Sequence, residues 1–71
     1  MMRITYTLHA LEQMKERKII DIWIEETIKY PDETKRNEHK YYVIKKLNGK
    51  TLKVVYTKEN YIKVITSFFI K

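Results

Sequence analysis

Two periodicities divide this chain. As far as Tyr30, apolar residues recur every three or four positions, the spacing of one helix face. From Tyr41 they alternate with polar residues, the spacing of a strand. Before the first helix, Arg3-Ile4-Thr5-Tyr6 reads as a short strand. Thr7 is placed to N-cap a helix from about Leu8 to Lys18. On a helical wheel Leu8, Ala10, Leu11 and Met14 share one arc and are expected to be buried. His9, Gln13 and Arg17 follow one another at i, i+4 spacing along the rim of the opposite arc. A second helix is expected from Ile20 or Asp21 to Tyr30, because Pro31 disfavours helix in the residue before it. Asp21 suits the positive end of its dipole. Ile20, Trp23, Ile24, Thr27, Ile28 and Tyr30 line one face. Ile22 falls among the charged residues of the other, which hints at a contact outside the domain.

Residues 32–40 are polar and read as a loop, with room for a short edge strand. Asn48-Gly49 between two alternating runs predicts a type I′ hairpin. A two-residue loop pairs Leu47 with Lys50, Lys45 with Leu52, Val43 with Val54 and Tyr41 with Tyr56. A second turn surrounds Glu59-Asn60. A three-residue loop there sets Val54 beside Val64 and puts Ile62, Val64, Phe68 and Ile70 on the core face; a one-residue slip would invert every side chain. The other sheet face then carries Tyr42, Lys46, Lys53, Tyr61 and Lys63, mixed with Ile44, Val55 and Ile65. Lys45 falls on the core side and must snorkel or pair, so it joins the candidate functional lysines. The expected architecture is α+β: two N-terminal helices on one face of a three- to four-stranded antiparallel sheet.

Seventy-one residues, 44% of them hydrophobic, suffice for one domain, residues 1–71, with a real core. Without cysteine the chain has neither a disulfide nor a thiolate metal site. No apolar run approaches a membrane span and the N-terminus lacks a signal-like core, so a cytoplasmic protein is expected. The net charge of +6 is unevenly spread. Residues 1–33 hold five Lys/Arg against seven Asp/Glu, a net of −2; residues 34–71 hold ten against two, a net of +8. A polyanion or an acidic protein would suit the second half, although charge also serves solubility alone.

The segment His9-Ala10, Gln13-Met14, Arg17-Lys18-Ile19 resembles the opening signature of the domain of unknown function 4258 family, which reads His-Ala, Arg-Met, Arg-x-Ile. Pro31, the strand Leu52–Tyr56 and Val64-Ile65-Thr66 extend the resemblance over nearly the whole chain. Gln13 stands where the family has its first arginine. The family's fold looks like that of the RelE/ParE-type toxins, and this implies a ribonuclease or a relative of one. RNA cleavage by internal 2′-hydroxyl attack needs a proton acceptor, a proton donor and cations on the phosphate. His9 can supply one proton step, and Arg17 can hold a phosphate bidentately. The bland readings are a His9 that only fixes the helix start and an Arg17 in a surface ion pair. Tyr42, Lys45, Lys46, Lys53, Tyr61 and Lys63 are the candidate RNA-binding residues, cations for phosphates and rings for bases. His39 reads as a solvated loop residue. Two separated histidines are a weak metal signal, and no cofactor is expected.

The leading expectation is a toxin-like endoribonuclease or RNA-binding domain, with RNA, an acidic antitoxin or a second copy as partners. The alternative is a non-catalytic module that binds a protein or dimerises through its basic sheet face. A fold whose activity has been lost is a third reading, prompted by Gln13. The sequence leaves one question to the tertiary structure: whether His9 and Arg17 reach the same surface as the basic strands.

Overall fold

Thr7 begins the helical layer much as its chemistry dictates. In the computed structural model, which describes residues 3–70, its hydroxyl accepts a hydrogen bond from the Ala10 N–H at 3.0 Å, satisfying a donor that the helix cannot. Helix α1 runs Leu8–Arg17 and stops at Lys18, which still donates its N–H to the Met14 carbonyl and whose left-handed backbone (φ 55) turns the Ile19 N–H onto the same oxygen at 2.9 Å. Helix α2 spans Asp21–Lys29, with Ile20 and Tyr30 as its caps. Met1, Met2 and Lys71, the ends of the expected domain, lie outside the described residues.

The strands are β1 (Ile4–Tyr6), β2 (Glu33–Asn37), β3 (Lys40–Leu47), β4 (Lys50–Lys58) and β5 (Ile62–Ile70). They form one sheet in the order β1-β5-β4-β3-β2. The expected three- to four-stranded antiparallel sheet is thus corrected to a five-stranded mixed one. Residues 3–6 do form a strand, but β1 runs parallel to β5. The two helices carry the chain from β1 to β2 at the far edge of the sheet, and the β2–β5 meander returns it to lie parallel to β1. The polar stretch 33–37 supplies the fifth strand, fully exposed and charged, as suits a sheet edge.

The β3–β4 hairpin has all four expected pairs. Asn48 (φ 46) and Gly49 (φ 83) both take the positive φ that a type I′ turn requires. The β4–β5 register differs from expectation. The loop has three residues, 59–61, but Tyr56 faces Val64, and the ladder then shifts between Val55 and Tyr56. Val55 faces Thr66, Val54 faces Ser67 and Leu52 faces Phe69, leaving Ile65 as an extra residue in β5. Such a bulge reverses which face each later side chain occupies. Ile62 and Val64 are on the core face as expected; Phe68 and Ile70 are not, and Ser67 and Phe69 take their places.

The core lies between the helices and this sheet. Ala10, Ile24, Val43, Leu52, Val54 and Val64 are wholly buried. Trp23 meets Phe69 edge-on, and Tyr41 stacks on Tyr56 with centroids 5.0 Å apart. The helical wheel overstates the apolar arc of α1: Ala10 is buried and Met14 packs on the core, but Leu8 and Leu11 are exposed. Helix α1 rests chiefly on β5 and β1, so only a narrow stripe of it meets the core. Ile22 is exposed, as its place among charges predicts.

Candidate nucleic-acid interface

The register decides which side chains share the sheet face turned away from the helices. Because pairs directly across a ladder lie on the same face, the outer face reads as rows. One row is Lys35, Tyr42, Val55 and Thr66; the next is Glu33, Ile44, Lys53 and Phe68. Flanking them are Asn37, Lys40, Thr57, Lys63 and Thr5 on one side and Lys46, Thr51 and Ile70 on the other. Among the described residues the strands thus bring five lysines to this face with one carboxylate, Glu33; Glu38 and Glu59 stand in the turns at its end.

Aromatic rings lie between the cations. Lys53 Nζ is 5.8 Å from the Tyr42 ring centroid and 6.0 Å from that of Phe68. Arg17 lies over the same Phe68 ring at 5.9 Å. These distances are within cation–π range. The side chains cover their own face well enough to bury Val55, although no helix among the described residues packs there.

Helix α1 brings the remaining chemistry to this surface. Strand β1 pairs with β5 only as far as Val64, and α1 lies along the edge beyond it. Gln13 accepts a short hydrogen bond from the Thr66 hydroxyl through Oε1. Its Nε2 lies 2.9 Å from His9 Nε2, so the amide donates to an unprotonated ring nitrogen and a neutral ring carries its hydrogen on Nδ1. Flipping the amide reverses both bonds without losing either, so the chain can carry either tautomer. Arg17 donates from Nη1 to the Ser67 carbonyl at 2.8 Å, on the same edge of β5. That bond leaves its other N–H groups free to meet a phosphate. His9 and Arg17 are exposed. The two rows therefore continue off the sheet onto the helix: Tyr42–Val55–Thr66 into Gln13 and His9, and Lys53–Phe68 into Arg17.

The other sequence-derived residues divide. Lys46 and Lys63 are exposed on the outer face. Tyr61 sits in the turn before β5 and lines a small hollow with Thr57, Glu59 and Lys63. Lys45 is on the opposite face, where its ammonium donates to the Tyr30 carbonyl at 2.8 Å and caps α2. It pairs, as its core-side register requires, and stands apart from the other lysines. Phe68, Thr66, Lys35 and Lys40 belong to the surface but escaped sequence reasoning. The adjacent polar pair Thr66-Ser67, which breaks the alternation of β5, is the signal that could have exposed the bulge. Among the described residues no group of three or more His, Asp or Glu is placed to hold a metal ion, and no helix is long and apolar enough to cross a membrane.

Fold and surface together define a small α+β protein whose mixed sheet has one face packed on helices and the other basic and aromatic. The chain belongs to the domain of unknown function 4258 (DUF4258) family, whose model matches residues 6–68. It matches no curated protein and no solved structure at a significant level. The segment from His9 to Ile19 divides physically. Ala10 and Ile19 are buried and Met14 packs on the core, whereas His9, Gln13 and Arg17 form the polar stripe beside β5.

Proposed function

We propose that this protein is a toxin-like RNA-binding protein and metal-independent endoribonuclease, with a fold of the RelE/ParE type. The observation that carries the reading is the continuity of the α1 stripe with the sheet face, through Gln13–Thr66 and Arg17–Phe68. Single-stranded nucleic acid is held by cations that follow its backbone and rings that stack on its bases. Lys53 between Tyr42 and Phe68 offers both at one place. Along the adjoining edge, Arg17 is placed to hold a phosphate bidentately. His9 performs one proton step. The 2′-hydroxyl gives up its proton and attacks phosphorus, the bond to the 5′-oxygen breaks, and that oxygen takes up a proton. Gln13 orients the imidazole from behind, as hydrogen-bonded partners do for catalytic histidines. An acidic antitoxin segment would compete for the same lysines, and cytoplasmic residence follows from that role.

Cleavage of a mixed-sequence RNA by the wild type and by folded His9→Ala tests the reading. Cleavage by the wild type alone is the expected result. Wild-type binding that weakens steeply with salt, without cleavage, leaves an RNA-binding protein and removes the enzyme, because phosphate contacts act through counterion release. Absence of binding at low salt overturns both and moves the protein-interaction module ahead. That module has its own support in Ile44, Phe68 and Ile70, which leave the outer face part apolar.

A further inference from the structure

At one end of the outer face the β2–β3 turn borders an open concavity of about 350 Å³, lined by Asn37, Glu38, His39, Lys40, Tyr42 and Thr57. This volume is at the small end of the range for ligand pockets. The rim is fixed from both sides. Arg36 Nε donates to the Glu38 carbonyl at 2.9 Å, and the Lys58 N–H donates to the His39 carbonyl at 3.0 Å. Glu38 itself adopts a left-handed backbone (φ 58) that brings the turn round. His39, which reads from sequence as an unremarkable loop residue, thus borders the basic face.

The lining does not match a phosphate site. Glu38 and Lys40 both line the concavity, so its own lining carries no net charge to select an anion. What remains is an aromatic wall, Tyr42, and a rim of amide, imidazole, hydroxyl and carboxylate groups. Such a set suits a flat, neutral ring with donors and acceptors on its edge. Tyr42 also belongs to the row that ends at His9. Thr66 lies two strands from Tyr42, about 10 Å at the usual strand spacing, and Gln13 and His9 follow. A short stretch of single strand can cross that distance over Val55, with Lys53 and Arg17 alongside.

We infer that this concavity binds one unstacked nucleobase of a single-stranded RNA, stacked on Tyr42 and read at its edge by Asn37, His39 and Thr57. The inference rests on the RNA-binding reading and sharpens it. Lysines and rings alone would hold any sequence, whereas unstacked bases with hydrogen bonds at their edges are how proteins select RNA sequence. The pocket would therefore set which nucleotide sits a fixed distance from His9.

The test uses fluorescence anisotropy with labelled single-stranded RNA oligonucleotides that differ at one position, each of the four bases in turn. The wild type is expected to prefer one base. Tyr42→Ala should weaken binding roughly 5- to 150-fold, the range for losing one base–aromatic stack, and Tyr42→Phe should restore it. His39→Ala and Asn37→Ala, both on an exposed edge and turn, should flatten the base preference while keeping the salt dependence. Lys53→Gln should weaken all four oligonucleotides alike and reduce the salt slope. If Lys53→Gln behaves so but the wild type has no preference and the Tyr42 and His39 variants bind as it does, the pocket is overturned and the RNA reading stands. If the wild type binds none of the oligonucleotides at low salt, both fall.

Discussion

The helical layer and the outer sheet face share one core yet present opposite surfaces. Helices α1 and α2 carry Glu12, Glu16, Asp21, Glu25 and Glu26 against Lys15, Arg17 and Lys29. Five of the six large apolar side chains left most exposed, Leu8, Leu11, Ile20, Ile22 and Tyr30, are on or at the ends of these helices. The sheet face is the reverse: its described strands set five lysines against one carboxylate, with Tyr42 and Phe68 half covered by their neighbours. Exposed apolar area and candidate chemistry therefore do not coincide. Scattered apolar residues on helices are ordinary in monomeric proteins. Cations interleaved with rings, and joined by hydrogen bonds to a histidine, are the more informative pattern. Arg17 is the exception that joins the layers: it grows from the acidic helix but lies over a ring of the sheet face.

The shared core gives the largest test of this comparison. Leu52→Ala from the sheet and Ile24→Ala from the helices, both wholly buried, should each destabilise the protein by about 2–5 kcal/mol in urea unfolding. A large loss for one and not the other would mean that the layers are not held by one core. Smaller effects should mark the line where α1 meets β5. Thr7→Ala removes the N-cap of α1 and should cost about 1 kcal/mol. Ser67 is buried there with its hydroxyl lacking a partner. Since an unsatisfied buried hydroxyl costs about 1–3 kcal/mol, Ser67→Ala should stabilise the fold, read as a higher midpoint at unchanged slope.

The acidic helical layer also leaves a mark on pH dependence. Tyr6 of β1 is pushed up from 10.0 to about 12, first by burial and then by the carboxylates of Glu25 and Asp21. Tyr56 is raised too, by burial and by Tyr41. In the unfolded chain these phenols lose their protons near the ordinary value, while the folded chain still holds them. Stability contributed by the protonated forms is complete below pH 10 and lost as pH rises through the folded values. Unfolding followed between pH 9 and about 12 should show this decline, and Tyr6→Phe should make it shallower without abolishing it, since Tyr56 remains. The smallest effect belongs to Ile22, 62% exposed: Ile22→Ser should change stability by less than about 0.5 kcal/mol. A larger loss would show that its side chain is covered in solution, and the helical surface would then need a partner of its own.

The elements of this fold were legible because each rests on local chemistry. Thr7, Pro31 and Asn48-Gly49 fix a helix start, a helix end and a hairpin turn through groups within a few residues of themselves, and alternation from Tyr41 to Tyr56 fixes the face of every side chain between. The His9–Gln13–Arg17 stripe was visible for the same reason. Three things depended on contacts far apart in sequence. Parallel pairing of β1 with β5 joins residues nearly sixty positions apart, and nothing local announces it. A single extra residue at Ile65 moves Phe68 from core to surface, because a pleated strand has a period of two and any insertion reverses its parity. The position of α1 across the uncovered edge of β5 brings a helix stripe and a sheet face together. Sequence by itself determined which residues carry charge, rings and an imidazole; only the tertiary structure decided that His9, Arg17, Phe68, Lys53 and Tyr42 share one surface, since adjacency between layers is set by packing and register rather than by spacing along the chain.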